Sequence, residues 1–528
     1  MKNIFNDKKT IILFVLAEIY YFCISLFKLN YTPLWQDEAA EFYCSVATYG
    51  PITGVSDLLT MYERGLSIQQ QPPLYNWVMM IWIFFGESEF WIRFLGVMLV
   101  FISTLVLFYT INRLTNPYIA SLSVVVFSSI YVIQFYIKEA SEYSLMFIFT
   151  ALIMSVYISI LAEPTKKKAL CFTVLCVLAI YTQYGTAFLI VPMAIQLWVY
   201  YLKRKEYKIL KLSIISEIIA AIGLGLPLVY FYLLPQTNNP VSTIGTSYPI
   251  DIKDGNLIID FFDSIMWTIR WFLLDYNRDG ARFEGFIWLL VFVLLALFIF
   301  VHIKTKDDRL KYLIRCNLWV YLIYYVCTTL TIYAYGWFGN RYGFFMFHLL
   351  FITIVWSIYE FIQMIKDSQI RNCSLKKGGS VLNIAVVIVS LLFCIYGVKR
   401  VNDHWDKMDL RTVVSYWYEN DCSDIPLFVN VNQRYSFTYY FTHNDNYSED
   451  LWANIYSNIN AESLYYDEAG WLEYLQTEVY PDGIPEELYI ISSYKDTVIE
   501  VLESLGYESE YVVGTTTDMY LLKKVTNN

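Results

Sequence analysis

The chain has 528 residues, of which 57% are hydrophobic and only 16% are charged, and its mean hydropathy is +0.43. This composition excludes an ordinary soluble protein, because apolar runs of membrane-spanning length recur up to Val398. The formal net charge is -10, and the residues after Val398 alone carry about 15 net negative charges. An acidic exterior argues against nucleic acid as a partner.

The apolar runs predict about eleven membrane spans, since a helix needs about 20 apolar residues to cross a bilayer. Lys2, Lys8 and Lys9 place the N-terminus in the cytoplasm by the positive-inside rule. Basic residues recur in every second loop, which predicts a multi-pass plasma-membrane protein with an extracytoplasmic C-terminal domain. The predicted spans are residues 10–28, 91–112, 118–137, 144–162, 169–180, 186–202, 209–234, 285–303, 312–332, 343–365 and 380–398.

Two domains are expected. Residues 1–398 form a transmembrane domain with external loops at 29–90 and 235–284, and residues 399–528 form a soluble α/β domain. Leu74–Phe85 is too short to cross and is predicted to lie at the outer interface. The second loop is predicted to begin as a polar lid and to become an interfacial helix at Met266–Tyr276. In the tail, strands are predicted at 426–431, 487–493, 511–513 and 519–523, and helices at 410–419 and 495–505.

The first external loop carries the acidic sequence Leu34-Trp35-Gln36-Asp37-Glu38-Ala39-Ala40-Glu41. Acidic groups at a membrane face are costly unless they serve a function. Asp37 and Glu41 are four residues apart, so a helix would place both on one face while Glu38 points elsewhere. A simpler interpretation is also open, because acidic residues favour helix N-termini and could merely cap one here.

Two further polar elements fall on the same predicted side of the membrane. Gln69-Gln70-Gln71-Pro72-Pro73-Leu74-Tyr75 precedes the interfacial helix, and Lys138-Glu139-Ala140-Ser141-Glu142-Tyr143 joins two spans. With Arg93 between them, this order resembles the family 39 type of membrane glycosyltransferases, which have the GT-C architecture. That family includes protein O-mannosyltransferases and aminoarabinose transferases. The resemblance is strongest over residues 31–145, and it implies a polytopic α-helical GT-C-like fold.

The resemblance implies an inverting glycosyltransferase that moves a hexosyl or pentosyl group from a polyprenyl-phosphate carrier at the outer face. The acceptor would be a glycan, a lipid or a protein. Asp37 matches the family's catalytic base, which a weakly nucleophilic hydroxyl needs. Glu139 matches a second acidic residue, which could bind a metal, orient the acceptor or hold a cationic group. The leaving phosphate needs positive charge or a metal, so a divalent cation is an open alternative.

The same resemblance suggests residues that contact the substrates. The candidates for the donor phosphate are Arg93, Lys138, Arg341 and Tyr342, and those for the acceptor or sugar are Glu38, Glu41, Tyr143 and Tyr184. Related enzymes often carry an Arg-Tyr pair where Arg341 and Tyr342 stand, and a guanidinium can bind phosphate through two hydrogen bonds. Arg93 could instead anchor its span at the lipid headgroups.

The chain departs from the family pattern at three positions. Many bacterial relatives have an Arg where this chain has Ser141, and a His where it has Gln183. A His or an acidic residue often takes the place of Gln71. Lys138 could replace the lost arginine charge, whereas the other changes weaken the expectation of a metal site.

Two other functions remain open. A transporter or flippase often shows internal repeats and charged residues deep in its spans, whereas here no repeat is evident and the acidic groups gather at one predicted face. A catalytically inactive receptor would bind glycans, through its acidic tail, without turning them over.

Overall fold

The structure is a computed structural model, predominantly helical, with one small sheet near the C-terminus. It describes residues 7–46, 55–68, 71–238, 256–273, 284–330, 340–371, 378–402, 409–429, 434–456, 468–492, 497–514 and 517–525.

Seven helices among the described residues are long and apolar enough to cross a membrane, and a bent pair raises the number to eight. They are Lys8–Leu26, Glu89–Leu114, Tyr143–Ala162, Tyr184–Lys203, Tyr207–Thr237, Gly285–Lys304 and Tyr342–Lys366. Large apolar side chains on them face outward, among them Ile222, which is 60% exposed, and Phe292, which is 64% exposed. Such surfaces suit contact with lipid. The multi-pass membrane class is confirmed, and the count of about eleven spans stays a prediction.

The remaining predicted spans are helical as well. In chain order, the other α-helices before residue 403 in the described part of the chain are Gln36–Tyr43, Val55–Ser67, Leu74–Ile83, Pro117–Ser129, Tyr131–Ile137, Lys166–Thr182, Leu257–Leu273, Asp308–Thr329 and Gly378–Asn402. Two 3₁₀ segments, Tyr184–Thr186 and Asn340–Met346, precede the helices Ala187–Lys203 and Phe347–Arg371.

Polar side chains in the predicted cytoplasmic loops fix where several helices begin. Asn116 Oδ1 accepts hydrogen bonds from the backbone N–H groups of Tyr118 and Ile119, both at 3.1 Å. Asp307 Oδ1 accepts from the N–H of Arg309 at 2.9 Å. The first N–H groups of a helix have no partner within the helix, so each of these caps satisfies donors that would otherwise be unpaired.

The predicted span at 118–137 contains a bend that the sequence did not reveal. It consists of Pro117–Ser129 and Tyr131–Ile137, which meet at 71° around Ile130. The Ser129 hydroxyl donates to the carbonyl of Val125 at 2.7 Å, a contact that often bends helices. The Gln134 amide donates to the carbonyl of Ser128 at 2.8 Å and so provides a partner within a segment where lipid offers none.

The helix of the second outer loop begins earlier than predicted. It runs over Leu257–Leu273, whereas the sequence indicated Met266–Tyr276. Asn256 Oδ1 accepts from the N–H of Ile258 at 3.0 Å, which accounts for this start. The polar lid was predicted to begin at Gln236–Tyr248. Its first three residues belong to the short helix Leu234–Asn238, and residues 239–255 lie outside the described part of the chain.

The chain divides into two compact units. The first comprises Met1–Phe27, Gly65–Val78 and Arg93–Asp403, and the second comprises Lys28–Arg64, Met79–Ile92 and His404–Asn528. The second unit therefore joins the C-terminal region to two segments of the first predicted external loop. The domain boundary after Val398 stays a prediction.

A buried histidine lies in the core of the first unit. His348 is fully buried, and its two ring nitrogens lie 3.0 Å from the hydroxyls of Ser103 and Thr150. Phe127 and Phe147 pack against the ring with centroids 5.3 and 5.6 Å away. A fully hydrogen-bonded histidine between aromatic rings acts as a packing residue.

The second unit contains a four-stranded sheet in the order β1-β2-β4-β3, formed by Leu427–Val429, Glu487–Ser492, Tyr507–Gly514 and Asp518–Lys524. Strands β1 and β2 are parallel, and the other pairs are antiparallel. Three of the predicted strands agree closely with these bounds, whereas β3 is longer than the predicted 511–513. Its first half, Glu-Ser-Glu after Tyr507, is polar because β3 lies at an edge of the sheet.

Helices pack around this sheet. Leu410–Glu419 has the predicted bounds, and Thr497–Ser504 lies within the predicted 495–505. Three more helices were not predicted: Arg434–Thr442, Glu449–Tyr456 and Glu468–Tyr474. The core between sheet and helices includes Phe428, Trp471, Leu475, Ile490, Val498 and Leu522.

Candidate active site

Buried charges mark the region where two helices of the first unit meet. Glu139 and Glu142 lie between the helices Tyr131–Ile137 and Tyr143–Ala162 and are 1% and 3% exposed, and Arg93 is 1% exposed. Each of them has an interaction partner. Since removing an ion from water costs several kcal/mol unless it is compensated, acids and an arginine at this depth indicate a polar site rather than lipid anchoring.

At Gly96, the helix that carries Arg93, Glu89–Leu114, comes close to the Glu139 loop, which consists of residues 138–142. A Cβ atom on Gly96 would lie 2.5 Å from the carbonyl oxygen of Ile137 and 3.6 Å from that of Glu139. Arg93 precedes Gly96 by three residues and therefore lies on the same face of the helix. The absence of a side chain at Gly96 lets the two backbones approach at this point.

Lys138 has a contact that sequence reasoning did not foresee. Its ammonium donates to the carbonyl oxygen of Phe27 at 2.5 Å and lies 6.0 Å from the centre of the Phe27 ring. Phe27 is the C-cap of the helix Lys8–Leu26, and a positive charge is favourable there. The phosphate contact of Lys138 stays a prediction, which the three donors of an ammonium group allow beside this bond.

Aromatic contacts bring the Asn340–Met346 segment against the same loop. The Tyr143 ring lies 4.6 Å from Tyr136 and 5.8 Å from Phe344, measured between ring centroids. Tyr143 is thus held edge-on in an aromatic cluster. Tyr342, two residues before Phe344, is half-buried. The side chain of Arg341 lies outside the described part of the chain.

A glutamine that the sequence analysis missed connects three segments of the first unit. Gln236 is 1% exposed, and its amide nitrogen donates to the carbonyl oxygens of Gly65 and Gln71, both at 3.0 Å. Its amide oxygen accepts the Tyr184 hydroxyl at 2.9 Å. Tyr184, a predicted substrate residue, is therefore linked to the segment that leads into Pro72-Pro73.

The Tyr184 segment also meets the Asn340–Met346 segment. The ring of Phe188, one turn after Tyr184, stacks on Phe345 with centroids 6.2 Å apart and an interplanar angle of 19°. The first unit thus gathers the Glu139 loop, Tyr184, Gln71 and the Tyr342 segment, which the sequence places far apart.

In the second unit, Asp37 lies in the first turn of the helix Gln36–Tyr43. Asp37 is half-buried, whereas Glu38 is fully buried and Glu41 is 4% exposed. The Glu38 carboxylate accepts from the N–H of Trp35 at 3.3 Å, an arrangement that closes the start of the helix. This contact gives Glu38 a structural role. Asp37 and Glu41 share a face, as the spacing predicted.

Within the second unit, an ion pair joins Glu89 to Arg411 of the C-terminal region. Arg411 Nη2 and Glu89 Oε2 are 2.5 Å apart, and Glu89 is the first residue of Glu89–Leu114. Burial lowers the pKa of the Arg411 guanidinium, but the Glu89 carboxylate and Tyr440 outweigh it, so the net shift is upward. The Arg411 guanidinium therefore stays positively charged at any working pH.

Among the residues that the structure describes, no group of three or more His, Cys, Asp or Glu side chains could hold a metal ion. The divalent cation thus stays a prediction. A metal held by two protein groups and a substrate phosphate is compatible with this finding.

Comparisons with known proteins identify the architecture. The family model of dolichyl-phosphate-mannose-protein mannosyltransferases matches residues 70–231. ArnT from Cupriavidus metallidurans matches 97% of both chains, at 10% identity and a TM-score of 0.53 for the apo state, and at 11% and 0.51 for the state bound to undecaprenyl phosphate. The chain has the fold of GT-C-type membrane glycosyltransferases. The Archaeoglobus fulgidus oligosaccharyltransferase aligns with 98% of this GT-C-like chain and 74% of its own, at 9% identity and a TM-score of 0.52.

The resemblance drawn from the motifs is confirmed at the level of the fold. A comparison with curated proteins found no match. The segment matched by the family model contains Arg93, Glu139, Tyr143 and Tyr184, whereas Asp37 precedes it. At identities of 9–11% the structural matches establish the GT-C-like architecture, and the roles of individual residues rest on the geometry described above.

Proposed function

We propose that this protein transfers a sugar from a polyprenyl-phosphate carrier to an acceptor hydroxyl at the outer face of the membrane, with inversion at the anomeric carbon. The observation that carries the proposal is the burial of Glu139 and Arg93 in a GT-C fold, where the helix of Arg93 and the loop of Glu139 approach at Gly96. The fold is shared with a protein whose structure was solved with undecaprenyl phosphate. The matching family model describes mannosyl transfer from dolichyl phosphate.

In the proposed reaction, Asp37 takes the proton of the acceptor hydroxyl as its oxygen forms a bond to the anomeric carbon. The bond between that carbon and the phosphate oxygen breaks, and polyprenyl phosphate leaves with the electron pair. Attack from the side opposite the phosphate inverts the configuration. The half-buried position of Asp37 in the first turn of its helix suits a base that a substrate must reach.

The positive groups would stabilise the leaving phosphate. Arg93 is buried, always charged and able to donate two parallel hydrogen bonds to phosphate oxygens. Arg341 and Tyr342 would add donors from the segment that packs on Tyr143. We assign Glu139 to orienting Arg93 or the acceptor, because the backbone of the Glu139 loop approaches the arginine's helix at Gly96.

The test uses the full-length protein purified in nanodiscs and a panel of synthetic polyprenyl-phosphate sugars. Wild-type protein should release polyprenyl phosphate with at least one donor when acceptor is present. Asp37→Asn should lower this turnover by about 100-fold or more, the usual contribution of a general base. Asp445→Asn, which removes an exposed acid of the same unit, should leave it unchanged.

Two results would count against the proposal. Donor binding without turnover, over the whole panel, would favour a glycan or lipid receptor. Wild-type turnover by Asp37→Asn would remove Asp37 as the base and leave glycosyl transfer by another group.

A further inference from the structure

The helix Arg434–Thr442 of the C-terminal region packs directly on the helix that carries Asp37. Both belong to the second unit. We call Arg434–Thr442 the bridging helix and Gln36–Tyr43 the Asp37 helix. The bridging helix lies well beyond the last predicted span, 380–398, in a region to which the motifs assigned no role in catalysis. Its contacts with the Asp37 helix supply one.

The bridging helix binds both ends of the Asp37 helix. Before its start, the N–H of Leu34 donates to the Tyr440 hydroxyl, and the N–H of Tyr435 donates to Gln36 Oε1 at 3.2 Å. Near its end, Phe42 meets the Tyr439 ring edge-on at 5.3 Å. Gln36 is the immediate neighbour of Asp37, so a shift of the bridging helix would be transmitted to the carboxylate.

The same bridging helix also holds a second segment of the unit. The Tyr439 hydroxyl donates to the carbonyl oxygen of Glu87 at 2.8 Å, and Nε2 of His443, the residue after the bridging helix, lies 3.3 Å from Glu87 Oε2. Tyr439 and Tyr440 are consecutive, so their side chains leave the helix about 100° apart. One of them therefore reaches the Glu87 segment while the other reaches Leu34.

The Asp37 helix depends on such contacts for its form. It has eight residues, and isolated helices shorter than about 12 residues are marginal in water. At its C-terminal end, Arg64 Nη1 donates to the carbonyl oxygens of Tyr43 and Val46 at 3.1 and 3.0 Å, and the Arg64 guanidinium lies 3.9 Å from the Tyr43 ring centre. The helix is thus held from the bridging helix and from Arg64.

We infer that the bridging helix is a positioning element for the Asp37 carboxylate, with Tyr439 and Tyr440 as positioning residues that do not touch substrate. The inference rests on the proposed function, in which Asp37 is the base. It gives the C-terminal region a part in the chemical step. A base displaced by a fraction of an ångström loses much of its effect, because proton transfer needs hydrogen-bond distance to the acceptor hydroxyl.

The experiment compares the double variant Tyr439→Phe/Tyr440→Phe with Tyr507→Phe in full-length protein in nanodiscs. Tyr507 is a matched control, since it is buried in the same unit and its hydroxyl donates to the carbonyl of Pro485 at 2.7 Å. The double variant should lower kcat about tenfold while the donor KM changes less than about twofold. Amide hydrogen exchange over residues 36–43 should become faster in the double variant and stay unchanged in the control.

Asp37→Asn is measured in parallel to separate this inference from the proposed function. Loss of turnover in Asp37→Asn together with wild-type kcat and exchange in the double variant would overturn the positioning inference alone. Wild-type turnover in Asp37→Asn would overturn the base assignment and with it the reason for positioning. The inference would also be contradicted if the double variant lost activity mainly through a higher KM for the sugar donor, because that result would indicate a binding defect.

Discussion

Gly96→Ala should disturb the site through the backbone alone. A Cβ at this position would lie 2.5 Å from the carbonyl oxygen of Ile137, whereas an ordinary C···O contact is about 3.3 Å. The two helices would therefore have to separate by about 0.8 Å. Overpacking of this kind costs about 1–3 kcal/mol of stability, and a displacement approaching 1 Å near reacting groups lowers rates by about 100-fold.

The assay measures thermal unfolding and turnover of the same nanodisc preparation. We expect a lower Tm and a fall in turnover of at least about tenfold, because Arg93 moves relative to the Glu139 loop. Gly223→Ala is the control, since nothing lies within 4 Å of a Cβ built there and the residue belongs to another membrane helix. If Gly96→Ala retained wild-type turnover and Tm, the close approach would have no part in arranging the site.

Two further substitutions test other contacts. Gln236→Leu removes the hydrogen bonds to the Gly65 and Gln71 carbonyls and to the Tyr184 hydroxyl. It should reduce the free energy of unfolding by about 1–3 kcal/mol and raise the KM for the sugar donor or for the acceptor substrate. An unchanged Tm would show that Gln236 does not hold these three segments together. His348→Leu removes the imidazole that contacts the buried Ser103 and Thr150 hydroxyls. The variant should reduce the free energy of unfolding by a similar amount, seen as a lower Tm, with KM unchanged in the folded fraction. A selective loss of kcat would show that His348 is more than a packing residue.

Much of the helical architecture could be predicted because membrane helices have a strong sequence signal. The bounds of Leu410–Glu419 and the short Leu74–Ile83 helix followed from apolar periodicity and length. The bend at Ile130 did not, since it has neither proline nor glycine and depends on the hydrogen bonds of Ser129 and Gln134. Such bonds involve partners that become visible only when the chain is folded.

The bridging helix shows why tertiary contacts escape sequence reasoning. Its sequence, Arg-Tyr-Ser-Phe-Thr-Tyr-Tyr-Phe-Thr, is rich in aromatic and β-branched residues that favour strands. Packing on the Asp37 helix and on Leu410–Glu419 overrides that preference. Similarly, Gln236 carried no motif and gained significance only through its three partners. The acidic residues were identifiable because charge at a membrane face is rare.

The most direct measurement of the central claim is single-turnover transfer by wild type and Asp37→Asn, with donor binding measured separately on the same preparations. The account predicts equal donor affinity and a chemical step slowed by about 100-fold or more in the variant. A chemical step at the wild-type rate in Asp37→Asn, with the donor bound, would contradict it.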